Sequence, residues 1–291
     1  MSPSPALHGP VLRWYAEHAR DLPWREPTAS AWAVLVSEVM LQQTPVARVL
    51  PVYLEWVQRW PSPARLAADP AGEAVRAWGR LGYPRRALRL HNAATVIVAR
   101  HAGEVPSSYP ELLALPGVGS YTAAAVASFA FGQRHAVLDT NVRRVLARAV
   151  EGRGDAARSV TVAERARAEA LVPDDAAVAA SWAVAVMELG ALVCTARAPR
   201  CSDCPLTTTC AWRTAGRPEP ETRRPGQRYA GTDRQVRGRL LAVLREAEGT
   251  VPSAALDAVW DDVVQRNRAL DSLLADGLVE RIGTGEVRLP A

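Results

Sequence analysis

All four cysteines of the chain fall between residues 194 and 210, at Cys194, Cys201, Cys204 and Cys210, with six, two and five residues between successive ones. No other feature narrows the possible folds as much. Four thiols crowded into one loop of a 291-residue chain make a poor disulfide framework, because disulfide scaffolds spread their cysteines through a small domain. The grouping asks for a metal centre. Zinc is one candidate, but four-cysteine zinc sites commonly pair two Cys-x-x-Cys knuckles, and only Cys201 and Cys204 form one here. A cubane iron–sulfur cluster, with a larger body and wider ligand spacing, suits the loop better.

Upstream of this loop the pattern is helical. Apolar residues recur at helical spacing through Val34, Val36, Met40 and Leu41, through Val49, Val52, Tyr53, Trp56 and Val57, and through Val75, Trp78 and Leu81. Breakers at Pro45, Pro61, Pro63, Gly82 and Pro84 separate them. The expectation is an all-α chain with roughly ten helices before residue 205. The composition then changes. Arg213, Arg217, Arg223, Arg224, Arg228 and Arg234 interleave with Pro218, Pro220 and Pro225, which reads as an exposed basic linker over residues 213–236. Helical patterns follow over 237–247, 254–260 and 262–275, and a β-hairpin with a Gly-x-Gly turn over 278–289. Three helices and a hairpin resemble a small winged-helix-like appendix over 237–291.

No apolar run approaches the ~18 residues that would suggest a membrane helix. The N-terminus lacks the charged and apolar regions of a signal peptide, so a cytoplasmic, nucleoid-associated protein is expected. Thirty-five basic residues against 30 acidic ones leave a net charge of +5, and every basic residue is arginine. This balance permits nucleic-acid binding. The absence of lysine from the sequence excludes any mechanism that needs a lysine amine for a Schiff base.

Three further motifs carry chemistry. Residues 115–122, Leu-Pro-Gly-Val-Gly-Ser-Tyr-Thr, sit between two helical patterns. Gly117, Val118 and Gly119 can turn the backbone so that N–H groups face outward beside a fresh helix N-terminus, a nest for one phosphate. Asp139, in Leu-Asp-Thr-Asn-Val, stands where a helix should begin. One of its oxygens can cap that helix while the other faces a cleft. Glu38 is an acid among apolar residues, expected near the start of a buried helix, and burial there would raise its pKa and keep a proton available for general-acid work.

Together these motifs resemble the adenine DNA glycosylases within the endonuclease III-like helix–hairpin–helix superfamily. The resemblance runs from about Trp14 to Cys210. It rests on Arg-Asp-Leu-Pro-Trp-Arg at 20–25, Ser-Glu-Val-Met-Leu-Gln-Gln-Thr at 37–44, Leu-Gly-Tyr at 81–83, the hairpin at 115–122, Leu-Asp-Thr-Asn-Val at 138–142, Glu-Leu-Gly-Ala-Leu-Val-Cys at 188–194, and the cysteine loop. It implies a two-lobed helical fold, with a six-helix barrel over residues 28–135 and a second lobe joining residues 1–27 to 136–212. That second lobe would carry a [4Fe-4S] cluster on the four cysteines. The partner implied is duplex DNA bearing adenine opposite 8-oxoguanine or guanine, bound by a monomer.

The resemblance also implies roles. Glu38 would protonate the departing adenine, Asp139 would face the sugar cation, and Tyr121 and Asn141 would position the sugar, Asp139 and the water. Arg20, Trp24, Arg25 and Glu188 would line the adenine pocket. Gln42, Gln43 and Tyr83 would occupy the gap in the duplex, and Gly117, Val118, Gly119 and Arg143 would hold phosphate. Arg197, Arg200 and Arg213, flanking the cysteine loop, would steady the DNA backbone. Tyr121 stands where strand-cutting relatives carry lysine, which implies a glycosylase without lyase activity. Many family members read 8-oxoguanine with a Phe-Ser-His loop in a large C-terminal domain. Both phenylalanines here, Phe129 and Phe131, lie in the catalytic part. Two rival readings remain: a glycosylase for thymine or uracil opposite guanine, and a mismatch-binding protein without catalysis.

Overall fold

The computed structural model describes residues 4–219 and 229–291. Arg223, Arg224 and Arg228, with Pro220 and Pro225 of the expected linker, lie outside the described residues. In chain order the helices are α1 (Ser4–His18), α2 (Ala31–Leu41), α3 (Val46–Arg59), α4 (Pro63–Ala67), α5 (Ala71–Ala77), α6 (Arg85–Arg100), α7 (Tyr109–Ala114), α8 (Ser120–Phe131), α9 (Thr140–Ala149), α10 (Val162–Ala170), α11 (Ala176–Leu192) and α12 (Ala211–Thr214). Then come α13 (Asp233–Glu246), β1 (Val251–Pro252), a 3-10 turn at Ser253–Val259, α14 (Val263–Ala275), β2 (Glu280–Ile282) and β3 (Glu286–Arg288). The protein is mostly helical, as its periodicity predicts. None of the described helices is long and apolar enough to cross a membrane.

Within the described residues, backbone contacts divide the chain into two compact units. One is drawn from Met1–Val34, Ser107–Leu113 and Val118–Arg224, the other from Leu35–Pro106, Ala114–Gly117 and Pro225–Ala291. In the first unit, α1, α8 and α9 all pack on α11. Helix α11 is apolar on nearly every side, which suits a helix that is surrounded. Its Trp182, Val186 and Leu189 meet Leu7, Val11 and Trp14 of α1 and Val142 and Val145 of α9 in one core. The close approach of α9 depends on Gly190, where a Cβ would stand 2.7 Å from that of Asn141. Side chains cap the helices of this unit: Asp139 for α9, Thr161 for α10 and Asp175 for α11.

In the second unit, α4 and α5 pack on α6. The core holds Trp56, Trp60 and Trp78, with Trp56 edge-on to both others at 4.7 and 5.6 Å between ring centres. Residues 237–291 share this unit. Helix α13 packs on α14, and the three strands form an antiparallel sheet in the order β1-β3-β2. The third strand, β1, has no counterpart in the sequence reading because it is two residues long and contains Pro252. The C-terminal segment is fastened to α5 and α6. Gly72 N–H donates to the Pro290 carbonyl at 2.7 Å, Arg245 donates to the Val75 carbonyl at 3.0 Å, and Arg85 pairs with Asp276 at 3.1 Å.

Candidate active site

Of the side chains singled out in the sequence, Asp139 has well-defined surroundings. It ends the extended segment before α9, and its Oδ1 accepts the Val142 N–H at 2.6 Å, so the expected cap is present. Its Oδ2 accepts from the Asn141 amide at 2.7 Å. Asn141 Oδ1 in turn accepts from Arg144 at 2.8 Å, and Arg144 also donates to the carbonyls of Gly190 and Cys194, both at 2.7 Å. Arginine can only donate, so this chain of bonds fixes which way the Asn141 amide faces. Burial pushes the Asp139 carboxyl above the ordinary aspartate value, while the Val142 and Asn141 donors and the charge of Arg144 pull the other way. Tyr121, in the first turn of α8, packs with Ala124, Ala125, Val137 and Ala183 of the same unit.

Glu188 lies in the last turns of α11 with no exposed surface. Its Oε1 accepts from the Arg20 backbone at 3.1 Å and from Arg20 Nε at 2.7 Å, and its Oε2 accepts from Arg20 at 2.7 Å and Arg25 at 2.9 Å. Burial alone would raise its pKa, but the two guanidinium groups outweigh it and hold the carboxyl down at about 2. Four donors use up the acceptor sites of the carboxylate, so Glu188 works here by orienting Arg20 and Arg25. Arg25 keeps one buried nitrogen, Nη1, without a hydrogen-bond partner. Trp24, beside it in the 3-10 turn Pro23–Arg25, is 7% exposed.

Glu38 belongs to the other unit. It is 4% exposed, and it sits in the second half of α2, toward the C-terminal end and not near the start. The early placement expected from the sequence fails because α2 begins at Ala31, seven residues before the acid. Gln43 and Tyr83 are exposed, and both hold left-handed backbone conformations, with φ of +56° and +49°. Such values are uncommon for non-glycine residues and mark places where the surroundings impose the shape. Gln42, the residue before the first of them, is half-buried.

The hairpin forms as expected, with α7 ending at Ala114 and α8 starting at Ser120. Only Gly117 needs glycine's freedom, with φ of +77°. A Cβ there would stand 2.6 Å from that of Arg89. Gly119 is extended, with φ of −98°, and nothing lies near its missing side chain. Arg89, absent from the sequence reading, is exposed and has no ion-pair partner among the described residues. Arg143, in contrast, is not available for phosphate. It is 8% exposed and forms a two-pronged pair with Glu164 at 2.6 and 2.8 Å. Its place one turn into α9 turns it toward α10, a direction that spacing alone does not reveal.

The four cysteines are half-buried in the first unit. Arg148 organises the loop, donating to Cys194 Sγ at 3.4 Å and to the carbonyls of Thr195 and Ala196. Burial pushes the Cys204 thiol up to about 11, and the charges of Cys194, Cys201 and Cys210 all act on it in the same direction. These thiols therefore share one neighbourhood. Among the described residues no three His, Cys, Asp or Glu side chains form a single-ion site. A set of four soft donors in one loop fits an iron–sulfur cluster in its chemistry. Arg197, Arg200 and Arg213, expected to hold DNA, are all exposed; Arg200 donates to the Leu192 carbonyl at the end of α11 and Arg213 to the Thr207 carbonyl.

Residues 36–171 match the family described as HhH-GPD superfamily base excision DNA repair protein. The adenine DNA glycosylase of Mycobacterium tuberculosis is 55% identical over 297 residues, covering 99% of this chain and 97% of the relative. The chain belongs to the adenine DNA glycosylase family. A human adenine DNA glycosylase is 43% identical over 216 residues, 72% of this chain but 39% of its own length. At 99% of this chain, the mycobacterial match includes the C-terminal module. Among solved structures, a thermostable thymine-DNA glycosylase superposes with a TM-score of 0.65 at 27% identity, over 73% of this chain and 97% of that one. The DNA glycosylase family and its helix–hairpin–helix fold are thereby established.

Proposed function

We propose that this DNA glycosylase excises adenine mispaired with 8-oxoguanine or guanine from duplex DNA, as a monomer and without cutting the strand. The observation that carries the reading is the fixed carboxylate of Asp139, oriented by the start of α9 and by Asn141. The near-full-length similarity to adenine glycosylases supplies the substrate base. The N–H groups at Gly117, Val118 and Gly119, with the N-terminus of α8, suit one DNA phosphate.

The extruded nucleotide is handled by two carboxyl groups. Glu38 gives its proton to adenine N7. The bond between the sugar C1′ and adenine N9 breaks, its electron pair leaves with the base, and adenine departs neutral. Asp139, ionised, faces the resulting oxocarbenium ion, and its buried setting strengthens that attraction. Water then adds to C1′ and yields its proton to a carboxylate. Tyr121 and Asn141 position the sugar and Asp139. Arg25 and Trp24, oriented by Glu188 and Arg20, meet the base, and Gln42, Gln43 and Tyr83 fill the space it leaves. With no lysine in the sequence, no lysine-based lyase step follows.

Cys194, Cys201, Cys204 and Cys210 would hold a [4Fe-4S] cluster, which when bound would supply folding free energy to the loop. The helix–strand–turn–helix–hairpin order of residues 233–291 supports a winged-helix-like module. That module carries eight arginines against ten carboxylates. Its acidic balance favours opposite-base readout by the catalytic part.

The test is single-turnover excision on duplexes bearing A:8-oxoguanine, A:G, A:C, T:G and U:G, with and without hot alkali. Adenine-containing mispairs with 8-oxoguanine or guanine should yield strand breaks only after alkali, and Glu38→Gln should abolish them while sparing binding. Breaks without alkali would defeat the monofunctional assignment, and excision confined to T:G or U:G would defeat the adenine assignment.

A further inference from the structure

Arg86 is a buried charge that this mechanism does not use. It is 5% exposed, and no carboxylate pairs with it among the described residues. Neutral oxygens hold it instead. One nitrogen, Nη1, donates to the carbonyls of Val39 at 2.8 Å, Met40 at 3.0 Å and Gln42 at 2.6 Å. The other, Nη2, donates to Thr44 Oγ1 at 3.0 Å and to the Gly82 carbonyl at 3.1 Å. The guanidinium also lies over the rings of Trp78 and Tyr83, at 5.2 and 5.5 Å. Burial draws its pKa down to about 10, which still leaves it charged at neutral pH.

A buried cation without a counterion is costly unless its surroundings recover the lost solvation. Here the recovery comes from the C-terminal end of α2, where the Val39 and Met40 carbonyls present the negative pole of the helix. The remaining acceptors are selective. Gln42 and Gly82 immediately precede Gln43 and Tyr83, both exposed and both in left-handed conformations. Thr44, just after Gln43, reaches the Leu81 carbonyl as well, at 3.4 Å. One guanidinium thus fixes the backbone on the approach to both strained residues and joins them to the helix that carries Glu38.

We propose that Arg86 is a positioning residue that presets Gln43 and Tyr83 as a single wedge for the duplex and keeps that wedge in register with α2. The proposal rests on the reading of Gln43 and Tyr83 as the residues that occupy the gap. A wedge that must push into stacked bases has to hold its shape before contact, and freezing both turns beforehand removes the ordering cost from the encounter.

The experiment uses the full-length protein and two duplexes. In one, an A:G pair has paired flanks; in the other, the flanking pairs are also mismatched, so that extrusion needs no wedge. Arg86→Lys keeps the charge but loses the fork. It should slow single-turnover excision about tenfold or more with paired flanks, and by less than about threefold with mismatched flanks. Added to the Gln43→Ala/Tyr83→Ala variant, it should cost less than about threefold on either duplex. Equal slowing on both duplexes, or a full further loss on top of the double variant, would overturn the proposal. Should the Gln43→Ala/Tyr83→Ala variant match the wild type on paired flanks, the wedge reading itself falls and takes the proposal with it. If Arg86→Lys does not fold, Thr44→Val, which removes one side-chain acceptor of the same guanidinium, should give the same flank dependence on a smaller scale, and its absence would overturn the proposal.

Discussion

Asp139→Asn is the usual way to remove a catalytic charge while leaving the fold intact, since asparagine caps helices as well as aspartate does. In this protein it should not be innocent. The new side chain can keep its oxygen on the Val142 N–H, but its amide then faces the Asn141 amide, donor against donor, at the 2.7 Å position now held by Oδ2. Rotating Asn141 by half a turn relieves that clash only by turning its amide toward Arg144, which now donates to it at 2.8 Å. One half-buried hydrogen bond is lost whichever way the amides turn, and a partner is left unsatisfied, so the cost should be about 1–3 kcal/mol. Asn141→Asp in the same chain removes the conflict, because a carboxylate accepts from both the new amide and Arg144. Urea unfolding at neutral pH, followed by tryptophan fluorescence, should show the single variant destabilised by that amount and the Asp139→Asn/Asn141→Asp variant regaining most of it, while excision stays lost in both. The polarity argument fails if Asp139→Asn unfolds within about 0.5 kcal/mol of the wild type, or if the paired change is simply the sum of the two single ones.

Two further outcomes follow from the same geometry. Glu188 has its folded pKa depressed from 4.5 to about 2, so its contribution is fully present above 4.5 and is lost as pH falls toward 2. The gap in unfolding free energy between the wild type and Glu188→Gln should therefore shrink by about 3 kcal/mol over that range, and a gap that widens on acidification would contradict the ion-pair account. At the hairpin, Arg89→Ala should lower the slope of log affinity against log salt by about 0.9, as for one lost phosphate contact. Gly117→Ala, strained by its positive φ and by Arg89, should weaken binding without sparing that slope; an unchanged slope in Arg89→Ala would remove Arg89 from the DNA contact.

The features most legible beforehand are those whose signal is local. Asp139 is a helix cap with a glycine-rich hairpin upstream, and turn chemistry and helix signals act over a few residues. The cysteine loop is equally plain because its members are adjacent in sequence. What escapes are partners separated by long stretches of chain. Arg143 looks like a cationic residue beside a catalytic motif, yet Glu164, 21 residues on, claims it. Gly190 reads as an ordinary glycine within Glu-Leu-Gly until Asn141 is found against it. Arg86 offers no pattern, since four of its five acceptors are main-chain atoms that every sequence possesses. Glu38 is found at the right burial but the wrong end of its helix, because the signal for where α2 begins is Ser30, whose Oγ accepts the Ala33 N–H at 3.1 Å, and the sequence reading placed no start there.

That dependence on main-chain oxygens has an evolutionary side. Of the five acceptors gathered by Arg86, four are carbonyls, of Val39, Met40, Gln42 and Gly82. A grip of this kind is indifferent to the side chains those residues bear. Mutation can sample new chemistry at the tip of each turn while the scaffold beneath stays put, so the enzyme can alter what it shows to DNA without relearning how to hold it.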